Sequence, residues 1–158
     1  MNDEQYTWED LLDWETDQID VEEIKHIDWD ALDKDEYCRT LIEYYQHEQD
    51  DYNTYDWRTL FNKYNNLIDY CSDKSKQIYN GLEDEVTIYR GADKAEELNG
   101  KYGISWTLNP KVALFFAYDR YKNKDINERT VIQRKINKEQ IKAIITEMDE
   151  DEVIVTDI

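Results

Sequence analysis

Apolar side chains recur every three or four positions through residue 85, and thereafter alternate or run in short blocks. The first pattern predicts helices. Thr7-Trp8-Glu9-Asp10 opens a short stripe with Leu11 and Leu12, while Asp20-Val21-Glu22-Glu23 and Asp33-Lys34-Asp35-Glu36 each set a capping side chain three residues ahead of a Glu, the mark of a helix start. Tyr37, Leu41, Tyr44 and Tyr45 then share a helical face. After a polar link from Gln46 to Tyr55, the stripe Trp57, Leu60, Phe61, Tyr64, Ile68 and Cys71 predicts one amphipathic helix whose role is packing. Gly81 suits a left-handed helix end. No catalytic constellation precedes residue 85, and His47, between Gln46 and Glu48, belongs to a helix surface.

The second pattern predicts strands. Val86-Thr87-Ile88-Tyr89-Arg90-Gly91 alternates, which puts Arg90 on the face of Val86 and Ile88. A guanidinium aimed at the apolar side needs an anion, either a protein carboxylate or a ligand phosphate or carboxylate, and the pattern leaves both open. Gly91 lets a ligand approach the backbone. After a link from Ala92 to Tyr102, Gly103, Ser105 and Thr107 share one strand face, with Ile104 and Trp106 on the other; the two hydroxyls either orient another group or bond to a neighbouring strand. Asn109 caps a helix with Pro110 at its first position, and the run Val112 to Ala117, apolar nearly all round, predicts a helix inside the domain that ends around Asp119-Arg120. Tyr121 to Glu128 reads as an exposed loop. Thr130–Ile136 and Ile141–Thr146 read as strands, with Asn137 capping a short turn through Gln140.

The last segment, Glu147-Met148-Asp149-Glu150-Asp151-Glu152, enters the β-prone run Val153-Ile154-Val155 and, if extended, sets Glu150 and Glu152 on one face. Crowding of its five acids favours retention of a proton unless a cation is near. Glu152 abuts the apolar run, where a merely solvating charge has little reason to be.

The chain has 158 residues, enough for a sizeable core, and thirteen Tyr and five Trp favour folding. Its net charge of −19 is uneven: residues 1–85 carry 25 acidic against 7 basic side chains, residues 86–158 carry 13 against 12. Such a body repels polyanions, which weighs against nucleic acid as a direct partner and suits a basic protein surface or a site that normally receives DNA; it also serves solubility. Cys38, Cys71, His26 and His47 lack metal-ligand spacing, so no metal is expected. There is no apolar run of membrane-span length, and Met1-Asn2-Asp3-Glu4 does not begin a secretory pattern; a cytoplasmic location, away from membranes, is the expectation.

The ordered set Ile88-Tyr89-Arg90-Gly91, Gly103-Ile104-Ser105-Trp106-Thr107-Leu108 with Ala113 and Phe116-Ala117, and Asp149 to Val155 resembles the arginine–serine–glutamate class of mono-ADP-ribosyltransferases, in particular small members from bacteriophages and bacteria. The resemblance implies an α+β protein. Residues 1–85 would form an acidic helical part and residues 86–158 an ADP-ribosyltransferase-like split β-sandwich with NAD⁺ in a cleft, the two making one compact unit. Many relatives continue with a further strand, so the sheet edge here is expected to differ. The resemblance also implies the site. Glu152 is the catalytic carboxylate that also holds a ribose hydroxyl, Ser105 orients it, Thr107 supports the strand, and Arg90 binds the anionic part of the dinucleotide; Gly91 and Trp106 complete the NAD⁺-binding stretches. Glu150 stands at the position associated with target choice, where Glu suggests an arginine acceptor, although the doubled acids leave open which of Glu150 and Glu152 is essential. The implied activity is transfer of ADP-ribose from NAD⁺ to a host protein, as a takeover or anti-defence effector. An NAD⁺ glycohydrolase and a non-catalytic acidic inhibitor mimicking nucleic acid are the alternatives.

Overall fold

A computed structural model describes residues 27–47, 56–119 and 126–158. The helix starts expected at Thr7 and Asp20, His26, and the loop 121–125 lie outside the described residues. Two compact units divide the chain, one through Tyr64 and one from Asn65 to Ile158.

In the first unit, a short 3₁₀ turn at Trp29–Ala31 precedes α1 (Lys34–His47) and α2 (Trp57–Asn62). Asp33 starts α1 as its sequence predicts, its Oδ1 accepting from the Glu36 amide at 2.9 Å. Tyr37, Leu41, Tyr44 and Tyr45 are all buried. Tyr45 meets Trp57 and Phe61 edge to face, both at 5.3 Å between ring centres, and the Tyr37 hydroxyl donates to the Leu60 carbonyl. Asp56 caps α2. Its carboxylate accepts from the Thr59 hydroxyl at 2.6 Å and the Thr59 amide at 3.1 Å, and these bonds hold its pKa below the ordinary carboxylate value.

The stripe from Trp57 to Cys71 is not one helix. α2 ends at Asn62, and Asn66 Oδ1 then accepts from the Ile68 amide at 2.7 Å while the Leu67 amide donates to the Lys142 carbonyl at 2.8 Å. An Asn side chain that satisfies a nearby amide competes with helical pairing. Ile68 and Cys71 still reach a core, but from a 3₁₀ turn at Ile68–Tyr70 and its exit.

The second unit contains α3 (Asp73–Gly81), β1 (Glu85–Asp93), α4 (Lys94–Asn99), β2 (Ser105–Thr107), α5 (Pro110–Leu114, running on as one π-helical stretch Phe115–Asp119), β3 (Arg129–Asn137), β4 (Ile141–Ile145) and β5 (Glu152–Val155). The strands form an open antiparallel sheet in the order β3-β1-β2-β5-β4. The fold is thus α+β. β1 pairs with β3 over nine residues but with β2 through the single pair Tyr89↔Thr107. Paired residues point to the same side. Ile88, Trp106, Val153 and Ile144 consequently share one face, and all are buried.

Three local expectations change. Gly81 is the last residue of α3 and is not left-handed; Gly100, with φ of 65°, closes α4 instead, inside the segment Ala92–Tyr102 that was expected to be a link. The helix after Pro110 is not enclosed on all sides, since Leu114 is 51% and Phe115 47% exposed. Only its small face, Ala113 and Ala117, is buried, and that face lies on Gly91, where an added Cβ would come within 2.4 Å of the Ala113 carbonyl oxygen. Asn109 and Pro110 do start this helix as predicted, with Asn109 Oδ1 accepting from the Lys111 amide at 3.0 Å.

Candidate functional site

One row of side chains crosses all five strands: Gln133, Tyr89, Thr107, Glu152 and Ile145. Ser105 lies two residues from Thr107 on the same face. Its hydroxyl donates to Glu152 Oε2 at 2.5 Å, a charge-assisted bond between neighbouring strands, and both residues are half-buried. Thr107 acts differently: its hydroxyl donates to the Glu150 carbonyl at 2.6 Å and accepts from the Asn109 amide at 3.1 Å. The Leu108 amide donates to the Asp151 carbonyl at 3.1 Å. The acidic turn is therefore stitched to the exit of β2, which fixes how β5 begins.

That turn is not extended. Asp149 and Asp151 have φ of 53° and 46°, left-handed values that Asp tolerates better than most residues. Glu150 precedes the strand, so simple alternation does not govern where its side chain points relative to Glu152.

Arg90 is next to Tyr89 and so faces the opposite side of the sheet from Ser105 and Glu152. It has its anion within the chain. Nε donates to Glu96 Oε1 at 2.6 Å and NH2 to Glu96 Oε2 at 3.2 Å, while NH1 reaches the Ser105 carbonyl at 2.8 Å. The side chains of Arg90 and Glu96 are 22% and 18% exposed. Of the two partners left open for Arg90, a protein carboxylate is the one present here. Gly91 has a packing use beneath α5, and Trp106 is 2% exposed with its indole N–H donating to the Gly103 carbonyl at 3.1 Å.

Glu96 lies in α4, a helix of six residues too short to show an apolar stripe, so periodicity does not single it out. Its signals are Asp93 ahead of Glu96-Glu97 and Gly100 just past the end. Tyr89 and Arg129 are further additions. Tyr89 flanks Thr107 in the row that contains Glu152, a neighbour relation that only strand pairing creates. Arg129 is 5% exposed and holds the end of the α5 segment: Nε donates to the Ala117 carbonyl at 2.9 Å, NH2 to the Phe116 carbonyl at 3.0 Å and NH1 to Asp93 at 2.7 Å.

A carboxylate fixed by a serine hydroxyl on a half-buried face can stabilise positive charge that develops in front of it. A polar cavity of about 460 Å³ lies elsewhere in the second unit, lined among others by Asn66, Tyr79, Gln140 and Lys142 and by none of Arg90, Ser105 or Glu152. Among the described residues, no group of three His, Cys, Asp or Glu is placed to hold a metal ion, and no helix is long and apolar enough to cross a membrane. No family model, curated protein or solved structure matches the chain.

Proposed function

We propose that this chain transfers ADP-ribose from NAD⁺ to an arginine side chain of a target protein, through an ADP-ribosyltransferase-like site built on β2 and β5. One observation supports the reading above others: the Ser105 hydroxyl bonds to the Glu152 carboxylate across 47 residues of sequence, the relation that the resemblance implies for the orienting serine and the catalytic glutamate. A sheet joined between β1 and β2 by a single pair is also in keeping with a split β architecture.

In this mechanism the ribose–nicotinamide C–N bond breaks and its electron pair leaves with the nicotinamide ring, neutralising the pyridinium. Positive charge spreads over the sugar's C1 and ring oxygen, and Glu152, held by Ser105, stabilises it in the manner of a glycosidase carboxylate. A guanidino nitrogen of the acceptor forms the new bond to C1 and gives its proton to Glu150. The excess of acid through residue 85 favours a basic target surface, with the host cytoplasm as the setting. NAD⁺ is the substrate, and the chemistry requires no metal.

The test is purified protein incubated with a labelled NAD⁺ analogue and a bacterial lysate, following free nicotinamide and labelled macromolecules. Glu152→Gln is expected to lower both signals by about 10²–10³-fold and Ser105→Ala by a smaller factor, with thermal unfolding little changed. Nicotinamide release without labelling would favour the glycohydrolase. Neither signal from the wild type, with lysates of several hosts, would overturn the enzyme and favour the acidic inhibitor.

A further inference from the structure

We infer that Glu96 is a positioning residue: by clamping Arg90 and the Gly103 amide, it sets where β2 lies against β1 and so where Ser105 presents its hydroxyl to Glu152. The inference begins from a deficit. β2 has three residues and meets β1 at one pair, whereas β1 meets β3 at nine, so ladder hydrogen bonds fix β2 weakly on that side. Side chains supply what the ladder lacks. Glu96 Oε1 accepts from both Arg90 Nε at 2.6 Å and the Gly103 amide at 2.7 Å, and Oε2 accepts from Arg90 NH2 at 3.2 Å. The remaining arm of Arg90 donates to the Ser105 carbonyl. One carboxylate thereby joins α4 to Arg90 in β1 and to the Gly103 amide ahead of β2, and Arg90 carries the link on to Ser105 within β2.

Gly103 is part of the clamp. A Cβ there would lie 2.3 Å from Arg90 NH2 and 2.6 Å from its Cζ, so the guanidinium occupies the space that a side chain would take. A free Arg end could swing aside, but this one is held at three nitrogens. The pair is partly desolvated and two-pronged, which is where an Arg–carboxylate contact has directional force rather than only surface charge. Arg90 thus acts through the backbone of Ser105 from one face of the sheet, while the Ser105 hydroxyl meets Glu152 on the other.

The consequence for turnover rests on the transferase reading; the consequence for β2 does not. Two measurements separate them. The first is amide and indole hydrogen exchange of the full chain without substrate, in wild type, Glu96→Gln, Glu96→Asp and Gly103→Ala, with Glu85→Gln as a surface control. Exchange of the Ser105–Thr107 amides and the Trp106 indole is expected to accelerate at least about tenfold in E96Q and G103A, less in E96D, which keeps both carboxylate oxygens, and not in E85Q, with β3 unchanged throughout. Acceleration at Gly103 alone would overturn the inference, because Glu96 would then cap one amide and position nothing. If E96Q does not fold, E96D and G103A carry the same comparison.

The second measurement is nicotinamide release. The clamp predicts that E96Q lowers kcat at least about tenfold with KM for NAD⁺ nearly unchanged, and that E96D recovers part of the loss. A changed KM at unchanged kcat would overturn it by assigning Arg90 to ligand binding, with Glu96 as its competitor if KM falls and as its support if KM rises. An inactive wild type would end the transferase reading and leave the exchange result to decide the clamp.

Discussion

Ser105 and Glu152 meet because β2 and β5 pair at Ser105↔Ile154 and Thr107↔Glu152, which leaves the serine hydroxyl diagonal to the carboxylate on one face. Burial sets the chemistry of Cys71 in a different way. Its S–H faces the Leu67 carbonyl at 3.4 Å, and loss of solvation pushes the thiol up from its ordinary 9.0 to about 11. The unfolded thiol ionises first as pH rises, so the folded state keeps this contribution below pH 9.0 and loses it on the way to about 11. At its steepest the loss is about 1.4 kcal/mol per pH unit. Urea unfolding at about pH 8 and about pH 10.5 should show a larger drop for wild type than for Cys71→Ala. Equal drops would show that the thiol does not couple to folding.

At the scale of elements, the contact between α5 and β1 depends on the absence of one side chain. A Cβ on Gly91 would sit 2.4 Å from the Ala113 carbonyl oxygen and 2.5 Å from the Ala117 amide nitrogen, backbone atoms that no rotamer change can move. Gly91→Ala is therefore expected to cost at least about 1–3 kcal/mol, read as a lowered urea midpoint. A neutral result would mean that the helix shifts freely. Ala113 and Ala117 bring the helix close, and Arg129 ties its last carbonyls to Asp93. Leu114 and Phe115, on the other side, stay exposed.

For the whole molecule, charge is the dominant fact. A net −19 works against the compact state through self-repulsion, and salt relieves that repulsion as the Debye length falls from about 30 Å at 0.01 M to about 3 Å at 1 M. The melting temperature is expected to rise by several degrees across that range of sodium chloride, and a fall would show that attractive pairs such as Arg90–Glu96 and Arg129–Asp93 outweigh the repulsion.

Local chemistry was legible in the residues themselves. Asp33 as a cap, the Asn109-Pro110 helix start, the Asn137–Gln140 turn and the alternating strands each depend on a few neighbouring side chains, and the structure has them where the pattern predicted. Composition likewise determined the acidity and the aromatic core. What the sequence could not decide were events that join distant segments. The break in the Trp57–Cys71 stripe arises where Leu67 bonds to Lys142 in β4, Gly91 is filled by a helix some twenty residues further on, and Arg90 takes Glu96 as its anion from a helix read as a link. Periodicity reports which side of an element is apolar, but not what covers it; strand pairing and helix packing decide that, because hydrogen bonds and close contacts form between atoms adjacent in space whatever their separation in the chain.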